Sequence, residues 1–163
     1  MKFISHRGNL NGLSESNAAR ENSPDYIDEA INQGFEVETD IRLTTGYVPP
    51  GDFYLGHDYP QYQVNLDWLI ERKDVLWLHA KNLEALKWLL GSRIGWNVFW
   101  HQEDSYTITS KGYIWTYPGS RLCYGAIAVM PENVDYPKRL IKKCGGICSD
   151  NILHYRGEYC ENT

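Results

Sequence analysis

Short strand-like segments alternate along this chain with segments of helical periodicity, and this alternation most constrains the fold. Between Pro24 and Gly34 apolar side chains recur at helical spacing, with the proline at the first helical position. Residues 35–43 then alternate apolar and polar side chains in the manner of a strand. Repeated strand-then-helix units give parallel strands joined by right-handed crossovers. The pattern therefore predicts an α/β fold.

The remaining elements follow the same alternation. Strands are predicted over residues 3–6, 53–55, 75–78, 98–100, 113–115, 126–129 and 146–148; helices over 66–72, 83–90 and 137–143; and a turn over 46–51. About seven of the strands can join one sheet.

We predict a single domain over residues 1–163, folded as a small TIM-type (β/α) barrel. A complete eight-stranded barrel typically needs about 250 residues, and this chain has 163. Either the helices are trimmed to a turn or two, or the barrel is incomplete. The stretch from 100 to 129 has almost no helical periodicity, so we expect the missing layers there.

Charge and hydropathy exclude some classes of protein. The formal net charge of -5 disfavours a dedicated nucleic-acid binder, which usually carries a basic patch. No long apolar run is present, so we expect no stable membrane insertion. The first strand begins next to Met1 and leaves no room for a signal peptide, which favours a cytoplasmic protein. The oligomeric state is not specified by the sequence.

Reactive side chains accompany each of the first four predicted strands. They are His6 and Arg7, then Glu38 and Asp40, then His57 and Asp58, and finally His79 and Lys81. Residues two apart on a strand share a face, which places the two carboxylates together. In a parallel barrel the carboxyl ends of the strands meet at one rim, where active sites are built. We therefore expect these side chains to converge.

The set suits one kind of reaction. Carboxylate oxygens are ligands for Mg²⁺ or Ca²⁺, which stabilise charge on a phosphate. Arginine and lysine hold an anionic phosphate. Of two histidines, one can accept a proton from the nucleophile while the other donates one to the leaving group. Cleavage of a phosphodiester uses all three parts, so a small phosphodiester is the predicted substrate.

Four short motifs occur in order: His-Arg-Gly at 6–8, Glu-Asn-Ser at 21–23, Glu-Thr-Asp at 38–40 and Gly-His-Asp at 56–58. Their order and spacing resemble the signature of the glycerophosphodiester phosphodiesterase family, within the PI-PLC-like phosphodiesterase superfamily. The resemblance covers roughly the first 60 residues. It implies a TIM barrel and a divalent cation in a hydrolase of lipid metabolism. It also implies His6 and His57 as the acid/base pair, Glu38 and Asp40 as metal ligands, and Arg7 near the phosphate.

The chain departs from the family on the next strand. Family members carry Glu-x-Lys there, whose glutamate is the third metal ligand, whereas this chain has His79-Ala80-Lys81. Lys81 matches and is assigned to the substrate phosphate. His79 is either the third ligand or a contact to a phosphate oxygen, and as a ligand it shifts preference from Mg²⁺ or Ca²⁺ toward Mn²⁺ or Zn²⁺.

Several residues are predicted to support the site. Glu21 precedes a helix and serves as a favourable anion or hydrogen-bond anchor, and Asp58 orients His57. Ser149-Asp150 resembles the family's closing Thr-Asp pair. Residues 101–104 either extend the rim or form a solvated turn.

Two other functions stay open. The short chain and the missing glutamate favour a catalytically degenerate barrel that binds a phosphorylated ligand or a metal without turnover. The other is a lyase of sphingomyelinase D type, acting on a phospholipid head group to give a cyclic phosphate.

Overall fold

The structure is a computed structural model that describes residues 1–44 and 51–160. The strands in this part of the chain are β1 (Lys2–His6), β2 (Glu36–Thr44), β3 (Asp52–Leu55), β4 (Tyr62–Val64), β5 (Leu76–Ala80), β6 (Asn97–Phe99), β7 (Tyr106–Ile108), β8 (Ile114–Thr116), β9 (Ile127–Val129) and β10 (Gly146–Ser149). The helices are α1 (Glu15–Ala18), α2 (Pro24–Asn32), α3 (Leu66–Glu71), α4 (Leu83–Gly91), α5 (Lys138–Ile141) and α6 (Ile152–Cys160), with a 3₁₀ turn at Pro131–Asn133. The turn predicted over 46–51 lies almost wholly outside the described residues.

All ten of these strands join one curled, mostly parallel sheet. Seven run parallel in the order β6-β5-β2-β1-β10-β9-β8, while β7 pairs antiparallel with β8 at one end. The carboxyl-terminal half of β2 continues past β5 and pairs with the antiparallel β3–β4 hairpin. The predicted α/β class is therefore confirmed.

The sheet differs from the sequence prediction in two respects. The strand at 53–55 exists but runs antiparallel to β2, because it returns along the extended end of that strand. It therefore adds a hairpin and not a further strand of the parallel set. The strands β4 and β7 were also not predicted: β4 has only three residues, and β7 exposes its apolar Tyr106 and Ile108 to solvent.

Side chains facing into the curl form a compact inner cluster. It contains Ile4, Trp77, Phe99, Trp115, Ile127, Val129 and Cys148, contributed by six different strands. The ring centroid of Trp115 on β8 lies 4.7 Å from that of Phe99 on β6 and 5.7 Å from that of Trp77 on β5. The sheet thus curls far enough for its two ends to touch through side chains. Among the described residues, however, β6 pairs with β5 alone.

Helices cover the outer face unevenly. The N-cap residues of helices α2, α3 and α4 are Ser23, Asn65 and Asn82. The side chain of each accepts a hydrogen bond from a backbone N–H in the first turn of its helix. Between α4 and the 3₁₀ turn the described chain contains no helix, which agrees with the missing layers expected over 100–129. Helices α1 and α6 were not predicted. No helix in the described ranges has the length and apolar character needed to cross a membrane.

Candidate active site

A cleft of about 880 Å³ opens at the carboxyl ends of the parallel strands. Seven of the nine predicted site residues line it: His6, Arg7, Glu21, Glu38, His57, His79 and Lys81. Asp40 is fully buried beside them, and Asp58 is exposed next to His57. The strands thus bring together side chains that lie up to 75 positions apart in the sequence.

The side chains of β2 that face into the curl of the sheet, which we call the inward row, include the two carboxylates. Glu38 and Asp40 pair in register with Trp77 and His79 of β5, so carboxylate and imidazole lie side by side on one face. Nδ1 of His79 lies 3.2 Å from Oδ1 of Asp40 and 3.6 Å from Oε1 of Glu38. The three residues form a compact group under Lys81, whose Nζ is 3.8 Å from Oδ1 of Asp40.

The orientation of His79 is set from its other nitrogen. Nε2 lies 2.8 Å from the backbone oxygen of His101, and a carbonyl can only accept, so Nε2 carries the hydrogen. The imidazole also stacks on Phe99, with ring centroids 4.9 Å apart. Burial disfavours the protonated ring, but hydrogen bonds to Asp40 and Glu38 outweigh it and raise the pKa of His79 to about 9.

The Glu38–Asp40–His79 group fits a divalent cation. One ligand atom from each residue lies within 4.8 Å of the others. Oε2 of Glu38 and Oδ1 of Asp40 are buried and accept no hydrogen bond of good geometry in the described structure, although Nδ1 of His79 lies 3.2 Å from that Asp40 oxygen. Buried polar atoms are usually satisfied, so these oxygens indicate room for a cation, which His79 would bind after losing its Nδ1 proton.

A second group with similar spacing fits a metal less well. It consists of His6, Glu21 and Asp150. Here the oxygens already accept hydrogen bonds: Glu21 from Arg7 and Asn9, and Asp150 from Asn9 and the ring of His6. Because donors already occupy these oxygens, the first group is the better candidate metal site. Glu21 is thereby placed as the hydrogen-bond anchor that the sequence predicted.

Asp40 is held in its ionised form by its neighbours. Its Oδ2 lies 2.9 Å from Nε of Arg7 and accepts a hydrogen bond of 3.1 Å from Nδ2 of Asn22. Burial disfavours the carboxylate, yet the hydrogen bond from His79 and the charge of Arg7 hold its pKa far below the usual value. Oδ1 of Asn22 also accepts hydrogen bonds from Oγ1 of Thr39 and from the backbone N–H of Asp40. This side chain therefore fixes the strand and the carboxylate together, a role that its place in the Glu-Asn-Ser motif did not by itself predict.

Arg7 lies in a left-handed backbone conformation at the end of β1. Its φ is 53°, its N–H donates to the backbone oxygen of Glu38, and its own carbonyl accepts the N–H of Asn22. The guanidinium donates from Nη1 to Glu21 at 3.1 Å and pairs through Nε with Asp40. Nη1 and Nε are thus paired with carboxylates, so the predicted contact of Arg7 with a phosphate would be made by Nη2.

His6 has a carboxylate partner that the sequence did not assign. Nδ1 of His6 lies 2.7 Å from Oδ1 of Asp150, and Nε2 lies 3.8 Å from Oε2 of Glu38. Burial lowers the pKa of His6, but the hydrogen bond to Asp150 and the charge of Glu38 raise it overall. The sequence contained part of the information needed to predict this pair, because Asp150 directly follows the predicted last strand. That strand, β10, is the neighbour of β1 in the sheet.

His57 approaches the cleft from the loop after β3. Its Nδ1 lies 2.7 Å from Oδ1 of Asp58, the geometry predicted for an orienting carboxylate. The side chain is 41% exposed, far more than that of His6 at 13%. The turn requires Gly56, whose φ is 142° and whose Cβ would lie 2.3 Å from the backbone oxygen of Tyr59.

The far wall of the cleft contains residues that the sequence left undecided or missed. His101 and Glu103 line it, so these two extend the rim as one of the two readings predicted. His101 is buried, with Nε2 against the backbone oxygen of Asp104 and its ring edge-on to Tyr117. Tyr117 also lines the cleft and was not predicted as a site residue.

Comparison with known proteins found no matching family model, curated protein or solved structure. The resemblance to glycerophosphodiester phosphodiesterases therefore depends on the four sequence motifs alone.

Proposed function

We propose that this chain is an abbreviated TIM-type barrel of the glycerophosphodiester phosphodiesterase kind, which hydrolyses a glycerophosphodiester-like substrate. The observation that carries the proposal is the convergence in one cleft of two imidazoles, two cationic side chains and a cation-binding group. His6, Arg7, Glu38, Asp40 and His57 come from the four motifs whose order resembles that family, and His79 and Lys81 come from the strand that follows them. A cytoplasmic location and the absence of a nucleic-acid partner stay predictions from the sequence.

Glu38, Asp40 and His79 would hold the divalent cation. When bound, such an ion withdraws charge from phosphate oxygens and favours the transition state. The nitrogen ligand favours Mn²⁺ or Zn²⁺ over the Mg²⁺ or Ca²⁺ that an all-oxygen set selects. Lys81 and Nη2 of Arg7 supply fixed positive charge for the remaining phosphate oxygens.

His6 and His57 are the proposed acid/base pair. Each ring is fixed through Nδ1 by a carboxylate, Asp150 for the first and Asp58 for the second. This arrangement leaves Nε2 of each ring as the atom that exchanges a proton with the substrate. One imidazole takes the proton of the attacking water, and the other gives a proton to the departing alcohol.

The direct test is hydrolysis of glycerophosphocholine with Mg²⁺, Ca²⁺, Mn²⁺ or Zn²⁺, followed by ³¹P NMR. Release of glycerol phosphate or choline supports the proposal. In His57→Ala the rate should fall about 10²- to 10⁴-fold, whereas His154→Ala, a matched change at an exposed histidine outside the cleft, should leave it unchanged. A folded protein that turns over no phosphodiester with any of the four metals would refute the proposal.

One observation favours the alternative of a non-catalytic binder. His79, whose Nδ1 lies 3.2 Å from Oδ1 of Asp40, occupies the position at which the family carries the glutamate that is its third metal ligand. Calorimetry separates the two functions, since a binder retains the phosphodiester unhydrolysed for hours. The lyase alternative is distinguished in the same ³¹P spectra, where a cyclic phosphate would appear in place of the monoester.

A further inference from the structure

Arg42 belongs to the inward row of β2 and lies two residues beyond Asp40. Its neighbours are unusual for a partly buried arginine. Within the described part of the chain no carboxylate pairs with it, and its buried Nε has no hydrogen-bond partner. In the described residues its guanidinium donates hydrogen bonds to backbone oxygens alone.

Those backbone oxygens belong to two separate turns of the cleft rim. Nη2 donates to the oxygen of His57 at 2.7 Å and to that of Asp58 at 3.3 Å. Nη1 donates to the oxygen of Lys81 at 3.2 Å. One guanidinium therefore bridges the turn after β3 and the turn after β5.

We propose that Arg42 is a positioning residue that holds the His57 turn and the Lys81 turn at a fixed separation across the cleft. This inference rests on the proposed function for its catalytic consequence, but the bridge itself does not. Two of the three carbonyls that Arg42 holds belong to His57 and Lys81, whose side chains line the cleft. Rotation of either peptide would move the imidazole or the ammonium group relative to the phosphate.

The chemistry of the residue suits this task. A guanidinium presents several N–H groups in a rigid plane and stays charged, so it reaches two turns at once. An ammonium group is a single point donor on a flexible stem and cannot keep both contacts. The His57 turn has few other anchors to the barrel: the Asp40 oxygen accepts the N–H of Gly56, and Gln61 bonds back to Leu55.

The first experiment does not use activity. Amide hydrogen exchange is compared for the parent, Arg42→Lys and Arg42→Ala, all without substrate. Exchange should rise together around residues 56–59 and 81–82 in both variants, and guanidinium ion should reverse the rise in Arg42→Ala. The control is Arg72→Ala, which removes a guanidinium bound to Asp28 and the Trp68 oxygen and should change neither turn. Faster exchange at one turn alone, or at neither, overturns the bridge.

The second experiment measures the catalytic consequence. In Arg42→Lys kcat should fall about 10- to 100-fold, the cost of a small misplacement of reacting groups, with KM nearly unchanged. Guanidinium ion should restore part of kcat in Arg42→Ala. Loss of stability with unchanged kcat would make the residue structural only. If the parent turns over no phosphodiester, the proposed function fails, while the exchange experiment still decides the bridge.

Discussion

Gly8 shows how the first motif depends on backbone space. Its φ is 94°, and a Cβ there would lie 2.8 Å from Cδ1 of Tyr26 and 3.2 Å from the carbonyl carbon of the same residue. Nearby Gly12 has a similar φ of 85° but nothing within 4 Å of the position of a Cβ. The two glycines therefore separate backbone strain from a steric clash.

We expect Gly8→Ala to lower the free energy of unfolding by about 2–4 kcal/mol and Gly12→Ala by about 1 kcal/mol. The smaller cost is the left-handed conformation alone, and the excess at Gly8 is the contact with Tyr26 in α2. Urea denaturation of both variants measures the difference. Equal losses would show that Tyr26 moves aside without cost.

Asp150 permits a prediction with a defined pH dependence. The carboxylate is buried, and although burial alone would raise its pKa, the hydrogen bond with His6 lowers it overall. A carboxyl with a depressed pKa stabilises the fold above its unfolded value, near 4, and loses that contribution as pH falls through the folded value. Asp150→Asn should therefore be less stable than the parent at pH 7, by roughly 2–4 kcal/mol.

The stability difference between Asp150→Asn and the parent should close as pH falls below about 4. Chemical denaturation at a series of pH values in the presence of chelator measures it. Asp135→Asn is the control at a carboxylate outside the cleft and should show no comparable gap. A gap that persists unchanged at pH 3 would mean that the variant loses packing and not charge.

At the scale of elements, the inward row of β2 contributes to two regions of the curled sheet. Its amino end belongs to a structural region, called the floor, and its carboxyl half belongs to the site. At the floor the carboxylate of Glu36 accepts hydrogen bonds from Nζ of Lys2 and Nε1 of Trp77, each at 2.6 Å. Two and four residues further along lie Glu38 and Asp40, the carboxylates of the candidate metal site, and six residues further along lies Arg42, all on the same face of the strand. One strand thus supplies both structural and chemical side chains at alternate positions.

We expect Trp77→Phe to lower the free energy of unfolding by about 2–4 kcal/mol, because a buried ring loses volume and Glu36 loses a donor. The turnover rate should stay close to that of the parent, since Trp77 does not line the cleft and its Nε1 is directed to Glu36 at the amino end of β2. Trp100→Phe, at a more exposed indole, is the matched control for stability. A loss of turnover in Trp77→Phe larger than its loss of folded protein would contradict the division.

At the scale of the whole molecule, the sequence predicted what depends on local pattern. Strand alternation located β2 and β5, and motif spacing identified Glu38, Asp40, His57 and His79 before any contact was known. It could not predict contacts set by the curl of the sheet. The pairing of His6 with Asp150 spans 144 positions, and the bond from His79 to the His101 oxygen depends on the path of the chain after β6.

The same limit explains the errors in the fold. Whether residues 53–55 run parallel or antiparallel depends on how far β2 extends past β5, which a run of apolar residues does not encode. Helix α6 contains Gly157 and charged side chains among its apolar ones, so its helical periodicity is weak. Tertiary contacts to β1 and β10 stabilise it instead.

Metal binding should be visible in the stability of the entire chain, because a cation that binds only the folded protein raises its melting temperature. The group that would hold it joins β2 to β5, two neighbouring parallel strands of the sheet. At a metal concentration about 100 times Kd the stabilisation is about 2.7 kcal/mol, which for this length corresponds to roughly 5–10 °C in Tm. The rise should be larger with Mn²⁺ than with Mg²⁺ if His79 supplies a ligand.

Thermal unfolding of two matched variants tests whether the three residues are responsible for this rise. Glu38→Gln should lose it, because the amide removes the charge from one ligand while keeping its size. Glu84→Gln, at an exposed glutamate in the first turn of α4, should keep it in full. Equal shifts in both variants would place the ion elsewhere on the surface. A shift that is greater with Mg²⁺ than with Mn²⁺ would leave the carboxylates as ligands and exclude the imidazole, so His79 would then serve the phosphate instead.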